Sequence, residues 1–348
     1  MAVVEPSPQL ATSTDGEVSP LGELPGESLN PGGTAAPMRQ HSFASEGGDF
    51  DADISPDGTT LVFASTRHAE RPDLYLKRID GAAVTQLTAD PDADLQPCFS
   101  PDGKSVIFAS RRSGNWDLWM TGLTGGQAVQ ITSSPQHELH PSFVPDGKRI
   151  AYCAYNPRGG TWELWTLQLD QPGSRRMIGD GLFPEWSPRT DSILYQRARQ
   201  RGGHWYSVWR IDLEMGEPRF PVELASRSDM ALIQPSWSPD GEWITFGSAS
   251  EPITTAGFGE NPASETTLGD IWIMRADGTS PQRLTNGTGT SFGPVWAPDG
   301  NVYFSSRQHG IENLWSILPV VGREALTAQP APRETTAAAM ERIPVRGG

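Results

Sequence analysis

The fifteen residues Gln96–Ser110 read QPCFSPDGKSVIFAS, and a close copy, QPSWSPDGEWITFGS, occupies Gln234–Ser248. Aligned on the Ser-Pro-Asp-Gly core, the chain holds six copies, and their turn prolines are Pro56, Pro101, Pro145, Pro188, Pro239 and Pro298. The prolines are 45, 44, 43, 51 and 59 residues apart. A self-similar period of about 40–50 residues is typical of a β-propeller, in which each repeat forms one four-stranded blade. The sequence therefore predicts an all-β, six-bladed β-propeller with four antiparallel strands per blade.

The second copy shows how one blade is built. Gln96–Ser100 is predicted as the innermost strand A, Ser105–Ser110 as strand B, Asp117–Gly122 as strand C and Ala128–Thr132 as the outer strand D. The Pro-Asp-Gly turn between A and B suits a reversal, because proline fixes φ and glycine tolerates positive φ. Aromatic residues recur on two strands and are expected to pack between blades: Phe99, Phe143, Trp186, Trp237 and Trp296 on A, and Tyr75, Trp119, Trp165, Trp209, Trp272 and Trp315 on C.

Composition narrows the classes of function. The 348 residues carry a formal net charge of −15, which argues against nucleic acid, whose binders concentrate Lys and Arg. No run of 18 apolar residues is present, so no membrane span is expected. Two cysteines, Cys98 and Cys153, lie in apolar strands and are predicted to be free buried thiols, with a bridge as the alternative. A monomer is expected.

The two ends differ from the repeats. Residues 1–38 are rich in proline and acidic residues and contain no Lys or Arg, so we expect a disordered segment without a signal peptide. Residues 39–328 are predicted to form the propeller, and residues 329–348 a flexible tail. Two segments compete for the outer strand of the last blade: Arg323–Ala328, in natural order, and Arg39–Ala44, which would close the ring as a clasp. The clasp is the favoured prediction, since an open ring leaves strand edges unpaired.

The recurring motif [FW]-S-P-D-G-x-x-[IV]-x-F-x-S, with D-[LI]-[WY] on strand C, resembles the TolB-type, WD-like propeller repeat over roughly Arg39–Ala328. The resemblance is to the C-terminal propeller domain of TolB, without its N-terminal α/β domain. Blade 4 departs from the pattern, because Ser187-Pro-Arg-Thr-Asp191 replaces the usual turn. Similar blades occur in TolB, in propeller domains of prolyl-oligopeptidase-type peptidases and in some polysaccharide lyases. The resemblance implies a periplasmic location, whereas the lack of a visible signal peptide indicates the cytoplasm.

Strand order places the B–C and D–A connections on one face, which we call the top face. One position of strand A lies near the mouth of the central channel on this face, and its occupants are Asp51, Gln96, His140, Phe183, Gln234 and Gly293. Polar groups that converge on one opening favour contact with a ligand or partner. A metal held by His140 and Asp51, and simple solvation of the channel, are the alternatives.

Acidic residues mark the loops of the same face: Asp90, Asp92, Asp94 and Glu138. We expect them to form a contact surface for a basic or polar peptide, together with an insertion in blade 5 within residues 249–269. Asp90-x-Asp92-x-Asp94 has the opening spacing of a calcium loop but lacks its Gly and its final Glu, so no metal is predicted. Arg67, Arg112 and Arg307 follow strand B and are expected to pair with the acidic residues that begin strand C, such as Asp73 and Asp117.

No catalytic constellation is visible. Gly289-Thr-Ser-Phe-Gly293 matches G-x-S-x-G, but that motif needs a strand–turn–helix context that is lacking here. The sequence therefore predicts a non-catalytic protein-interaction scaffold without a cofactor. The alternative is a channel-mouth enzyme of the polysaccharide lyase or hydrolase kind, or a glycan-binding propeller.

Overall fold

The computed structural model describes residues 37–199, 205–250, 268–287, 289–308 and 310–320. Within these ranges the chain forms six antiparallel sheets, which confirms the all-β, six-bladed propeller. In chain order the strands are β1 Arg39–Gln40, β2 Asp49–Ile54, β3 Thr60–Ser65, β4 Asp73–Arg78, β5 Val84–Gln86, β6 Asp94–Phe99, β7 Ser105–Ser110, β8 Asp117–Gly122, β9 Val129–Gln130, β10 Glu138–Phe143, β11 Arg149–Asn156, β12 Thr161–Gln168, β13 Gln171–Asp180, β14 Leu182–Trp186, β15 Ser192–Ala198, β16 Tyr206–Glu214, β17 Glu217–Pro218, β18 Val222–Ala225, β19 Ala231–Trp237, β20 Trp243–Ala249, β21 Leu268–Arg275, β22 Gln282–Arg283, β23 Thr290–Trp296, β24 Val302–Arg307 and β25 Asn313–Ile317.

Each sheet is one blade, and in blades 1 to 5 the strands follow in sequence order from the inner position A to the outer position D. Blades 1, 2, 3 and 5 are β2–β5, β6–β9, β10–β13 and β19–β22. In blade 4, both β17 and β18 pair with β16. The inner strands contact one another in the order β2, β6, β10, β14, β19, β23 and back to β2, so the ring is closed around a central channel.

The N-terminal segment completes blade 6. β1 pairs with β25, with Arg39 opposite Ser316 and Gln40 opposite Trp315. The sheet order of this blade is therefore β23–β24–β25–β1. Of the two closures left open by the sequence, the structure shows the N-terminal clasp, while the competing segment 323–328 lies outside the described residues.

A hydroxyl at the end of each regular outer strand explains why the clasp fits. In blade 2, Thr132 Oγ1 accepts a hydrogen bond from the Leu118 N–H of strand C at 2.9 Å. Blades 1 and 5 repeat the arrangement: Thr88 with Leu74, and Thr285 with Ile271. In blade 6, Ser42 Oγ accepts the Leu314 N–H at 2.9 Å. The N-terminal segment thus supplies the same bond as an outer strand.

The Pro-Asp-Gly turns are closed by local hydrogen bonds. In blade 2, Ser100 Oγ donates to Asp102 Oδ1 at 2.7 Å, and the Lys104 N–H donates to the same oxygen at 3.1 Å. Gly103 adopts a φ of 66°, which glycine tolerates without strain. The turn needs no tertiary partner, so its sequence alone specifies it.

The aromatic residues of strand A are buried between blades, as predicted, with 3–8% of their surface exposed. On strand C only Tyr75 and Trp272 are buried, and the other four tryptophans are half-buried. Guanidinium groups cover three of these: Arg112 over Trp119, Arg175 over Trp165 and Arg197 over Trp209, at 4.5–5.0 Å from the ring centroids. The strand-C column is therefore a set of cation–π contacts as much as an apolar core.

Several sequence-based predictions concern parts of the chain that lie outside the described residues. These are residues 1–36 of the predicted N-terminal segment, the tail 329–348 and residues 251–267 of the blade-5 insertion. Cys98 and Cys153 are free; Cys153 is buried and Cys98 is half-buried. No helix of the described ranges has the length and hydrophobicity needed to cross a membrane.

Candidate functional site

Every strand A is interrupted by a β-bulge at the same residue of the repeat. In blade 2, for example, the register with strand B shifts between Leu95 and Cys98. The residue at each bulge is in the left-handed region, with φ between 49° and 60°: Asp51, Gln96, His140, Phe183, Gln234 and Gly293. These are the six positions that the sequence predicts at the channel mouth. Outside glycine this conformation costs roughly 1–2 kcal/mol, so five blades keep a side chain there at the expense of stability.

Side chains at the bulges bridge neighbouring blades. Gln96 Oε1 accepts the His140 N–H at 3.0 Å, and Gln234 Oε1 accepts the Gly293 N–H at 2.8 Å. The Asp51 carboxylate accepts the Gln96 N–H in the same way. Each bond joins the bulge of one blade to the bulge of the next, so the strained residues form a partial ring around the channel.

The ring changes character in blade 4. The imidazole of His140 packs on the ring of Phe183 with centroids 3.6 Å apart, and a phenyl ring offers no acceptor for the next blade. Gln196 of β15 supplies it instead, since its Oε1 accepts the Gln234 N–H at 2.8 Å. Sequence reasoning missed Gln196. The available signal was a buried glutamine at a position where the other repeats place a small residue: Ala64, Ala109, Cys153, Gly247 and Ser305.

Asp51 is the only carboxylate among the six bulge residues. Burial raises its pKa to about 7; the bond from Gln96 opposes this effect and the charge of Glu312 adds to it. Its Oδ2 atom is buried and has no hydrogen-bond partner among the described residues. An unsatisfied buried oxygen is costly, so this atom is a ready acceptor for a donor that enters the channel.

A second ring lies two residues further along strand A, formed by Asp53, Cys98, Ser142, Glu185, Ser236 and Val295. Asp53 Oδ2 accepts the Phe99 N–H at 2.7 Å, and Glu185 Oε1 accepts the Trp237 N–H at 2.9 Å. Burial raises the pKa of Asp53 to about 6 and that of Glu185 to about 8, and the charge of Asp53 contributes to the shift at Glu185. The two carboxyl groups therefore interact electrostatically within the channel.

The channel combines these acids with no permanent positive charge. None of the twelve positions of the two rings is a Lys or Arg. His140 is neutral near pH 7, because burial lowers its pKa to about 3. Within the described ranges, no group of three or more His, Cys, Asp or Glu side chains is arranged to hold a metal ion. A cationic group of a ligand would meet acceptors and no competing cation.

The four acidic residues predicted for the top face are not equivalent. Asp94 and Glu138 have 0% exposure, which corrects their placement on a contact surface. Arg112 Nη2 reaches Asp94 at 2.8 Å, and Arg175 Nη2 lies 3.1 Å from Glu138. Asp92, which is partly exposed, pairs with Arg71 at 2.6 Å, and Asp90 lies 3.6 Å from Arg112. The carboxylates of the calcium-like spacing are therefore paired with arginines.

The partners of the strand-B arginines also differ from the prediction. Arg67 pairs with Asp49 at 2.7 Å, so Arg67 and Arg112 bind the first residue of strand A in their own blades. Arg307 pairs with Glu312, just before strand C of blade 6. The acids that begin strand C use other partners: Gln86 donates to Asp73, and Gln130 donates to Asp117.

Comparison with known proteins decides the family. Residues 35–213, more than half of the chain, match the family described as TolB beta propeller domain. The chain belongs to the TolB β-propeller domain family. Its curated relatives include Dipeptidyl-peptidase 5 of Porphyromonas gingivalis, 28% identical over 269 residues, which are 75% of this chain and 37% of that protein. The chain spans between 8% and 37% of the length of the curated relatives that it matches.

Solved structures show the same fold at low identity. A putative TolB from Agrobacterium tumefaciens superposes with a TM-score of 0.56 at 19% identity, covering 78% of this chain and 91% of that one. An oligogalacturonate lyase from Vibrio parahaemolyticus gives a TM-score of 0.55 at 13% identity, covering 82% and 95%. Both structures share the propeller architecture with this chain, and the likeness extends to the fold alone.

One sequence-based prediction is wrong. The absence of a catalytic motif led to the prediction that the chain is not an enzyme. The relatives named above include a peptidase, and an oligogalacturonate lyase has the same fold. Enzymes are therefore found among the proteins that this TolB-like propeller resembles, and a lack of familiar motifs does not exclude activity.

Proposed function

We propose that this TolB-like propeller binds a polypeptide at the mouth of its channel and receives a basic side chain of that polypeptide against Asp51. The observation that carries the proposal is the buried, unpartnered Oδ2 of Asp51 in a ring of strained residues. Strain at a fixed position of a repeat is retained where the side chain has a role. In Asp51 the carboxylate accepts the Gln96 N–H of the next blade, and its Oδ2 is left to accept a hydrogen bond from a group that enters the channel.

The electrostatics of the channel support a basic ligand. Asp51, Asp53 and Glu185 all have raised pKa values because burial disfavours their charge and no cation compensates it. An ammonium or guanidinium group would supply the missing charge and stabilise the ionised carboxylates. The net charge of −15 would also favour the approach of a basic segment.

The surroundings of the mouth support a polypeptide rather than a free amine. Asp51, Gln96 and Gln234 each keep part of their surface accessible, so the ring can be reached from the channel. The loops that precede strand A surround it and offer the wider area that a peptide backbone needs. With Asp94 and Glu138 buried, the negative charge that a ligand meets at this opening is that of the channel acids.

The test uses a pentapeptide, acetyl-Gly-Gly-Lys-Gly-Gly-amide, and the same peptide with norleucine in place of lysine. Calorimetry at pH 8 should show binding of the lysine peptide only. Asp51→Asn should weaken it at least about tenfold, the effect of losing a charge-assisted hydrogen bond. Asp80→Asn is the matched control, since Asp80 belongs to the same blade but lies in an exposed loop between β4 and β5. Equal binding of the two peptides, or full affinity in Asp51→Asn, would refute the proposal.

The pH dependence gives a second readout. Protons compete with the basic side chain for the channel carboxyls, whose pKa values are about 7, 6 and 8. Affinity for the lysine peptide should therefore fall as the pH is lowered from 8 to 5.5. N-acetyl-lysine amide, measured in parallel, should bind more weakly than the pentapeptide. Equal affinity for the two would overturn the assignment of a polypeptide ligand.

A further inference from the structure

A cleft of about 840 Å³ lies on the top face between blades 1 and 2. One wall is the β3–β4 loop, from Thr66 to Pro72, together with Glu46 and Gly47. The other wall is formed by Asp92, Ala93 and Leu95 before and within β6, and by Arg111 after β7. A cleft of this size accommodates a small molecule or a short segment of a larger one.

The blade-1 wall is built rigidly. The Gly48 N–H donates to Thr66 Oγ1 at 2.9 Å, and the Thr66 N–H donates to the Gly48 carbonyl at 3.0 Å. Gly47 has a φ of 69°, and a Cβ atom there would lie 2.4 Å from the Thr66 carbonyl oxygen. Only glycine permits this close approach. The cleft is therefore formed before any ligand arrives.

Three arginines line the cleft, and they differ in whether a carboxylate binds their guanidinium group. Arg67 is fixed by Asp49 and lies over the rings of Phe63 and Tyr75, so its role is structural. Arg71 donates to Asp92 at 2.6 Å and to the Pro91 carbonyl at 3.1 Å, in an exposed pair that contributes little to stability.

Arg111 differs from the other two arginines of the cleft. Its backbone N–H donates to the Ala93 carbonyl at 3.2 Å, and its guanidinium lies 5.8 Å from the Trp116 ring centroid. No carboxylate of the described residues lies within ion-pair distance of it. Arg111 follows Ser110, which lies opposite Asp94, and Arg307 follows Ser306, which lies opposite Ser291. The two arginines therefore have equivalent places in blades 2 and 6, but Arg307 pairs with Glu312. Arg111 thus lines the cleft with a positive charge that no carboxylate of the described residues neutralises, and burial together with this same charge lowers the pKa of the neighbouring His137.

Arg71 and Arg111 both bond to the three-residue segment Pro91, Asp92 and Ala93, which precedes β6. Arg71 binds Pro91 and Asp92, and the next residue, Ala93, receives the bond from Arg111. His68 also lines the cleft, and its Nδ1 lies 2.9 Å from the Tyr75 hydroxyl, which orients the imidazole. Arg71, Arg111 and His68 therefore all line the same cleft.

We infer that this cleft binds a ligand through a carboxylate group, held by Arg111 with Arg71 and His68 beside it. A guanidinium group binds a carboxylate through two parallel hydrogen bonds, and Arg71 can exchange its weak partner for a ligand. Glu46 and Glu70 also line the cleft and oppose a doubly charged anion, so a carboxylate fits better than a phosphate. The site is separate from the channel mouth and does not depend on the function proposed above.

The test uses N-acetyl-alanine, which carries one carboxylate, and N-acetyl-alanine amide, which carries none. Titration followed by the NMR signals of the Trp116 indole and the His68 imidazole should give a saturable shift with the acid alone. Arg111→Gln should weaken binding about tenfold, as expected for a lost charge-assisted hydrogen bond. Arg158→Gln is the matched control, because Arg158 is an exposed arginine in the equivalent loop of blade 3.

Further measurements decide the chemical class. Glu46→Gln combined with Glu70→Gln should tighten binding of the acid, since both changes remove repulsion. Inorganic phosphate at equal ionic strength should bind more weakly than N-acetyl-alanine. Equal shifts with acid and amide, unchanged affinity in Arg111→Gln, or tighter binding of phosphate would each overturn the inference. Asp51→Asn should leave this titration unchanged, which separates it from the channel mouth.

Discussion

Two regions of the repeat place a residue in the left-handed conformation, the turn in five blades and the bulge in all six, and different residue types occupy them. At the Pro-Asp-Gly turns the residue is glycine, with φ between 66° and 86°: Gly58, Gly103, Gly147, Gly241 and Gly300. At the bulges of strand A the residue is Asp, Gln, His or Phe in five blades and glycine only at Gly293. Glycine adopts this geometry without strain, so the turns are optimised for folding. The bulges accept strain to hold side chains in the channel.

Carboxyl groups show the same contrast. In the turns, hydrogen bonds from neighbouring hydroxyl and N–H groups lower the pKa of Asp57 and Asp102. In the channel, burial raises the pKa of Asp51, Asp53 and Glu185. The turn carboxylates therefore stabilise the folded chain in their ionised form, whereas the channel carboxyls are destabilising when ionised. Groups that reduce stability and are nevertheless present are candidates for function.

The largest expected effect is at Glu185. Its folded-state pKa is raised to about 8, so its contribution to stability is present below the unfolded pKa and is lost as the pH rises through 8. Glu185→Gln keeps the acceptor for Trp237 and removes the charge. We expect it to raise the free energy of unfolding at pH 8.5 by at most about 5 kcal/mol and to have little effect at pH 4.5. Urea denaturation at both pH values measures the free energy of unfolding. A loss of stability in Glu185→Gln at pH 8.5 would contradict the difference between turn and channel carboxyls.

The clasp should respond to pH in the opposite direction. Burial lowers the pKa of His41 to about 4, and its Nε2 lies 2.8 Å from Ser316 Oγ. The stability that depends on neutral His41 is present above about pH 6.5 and is lost as the pH falls towards 4, by at most about 3 kcal/mol. His41→Gln should remove this dependence while Glu185→Gln leaves it intact. If the stability of His41→Gln depends on pH as that of the unchanged protein does, the titration of His41 does not control the stability of the clasp.

The strain at the bulge is measurable directly. Gln96→Gly and Gln96→Ala both remove the acceptor for the His140 N–H, but only glycine relieves the left-handed backbone. The glycine variant should therefore be more stable than the alanine variant by about 1 kcal/mol, the reverse of the usual order within strands. At the turn, Gly103→Ala should destabilise by roughly 1–2 kcal/mol, because the added Cβ has room, 3.6 Å from Pro56 Cδ, but the backbone becomes strained. Thermal unfolding of the three variants provides the comparison, and alanine equal to glycine at position 96 would mean that the bulge carries no strain.

The smallest effect is expected at the turn aspartates. Asp102→Asn weakens the bonds that lower the pKa of Asp102, so stability should decrease slightly above the unfolded pKa and remain unchanged below it. The midpoint of thermal unfolding at pH 7 and pH 3 tests this. A gain of stability at pH 7, as expected for the channel residues, would remove the distinction between the two regions.

The sequence specified the repeat well and the site only in part. Strands β7 and β8 coincide with the predicted B and C strands of blade 2, because short apolar runs rich in β-branched and aromatic residues, next to a local turn, define them. The outer strand β9 is shorter than predicted. At its end the Leu118 N–H of strand C bonds to the Thr132 hydroxyl instead of to a backbone carbonyl of the outer strand. The six channel positions followed from the alignment of repeats, but their left-handed conformation did not. Nothing local in the sequence reports a bond between one blade and the next.

What the sequence alone determined is the number of blades and the turns between their inner strands, because each blade is built from residues close along the chain. The tertiary structure decided which acidic side chains are exposed and which are buried. Asp94 and Glu138 are buried because Arg112 and Arg175 reach them from other strands, and Gln196 joins the channel ring because Phe183 cannot. It also decided that the N-terminal segment, through Ser42, completes the last blade. The two ion pairs depend on the folding of a single blade. The bonds of Gln196 and Ser42 join different blades or the two ends of the chain, and only the closed ring brings those groups within hydrogen-bonding distance.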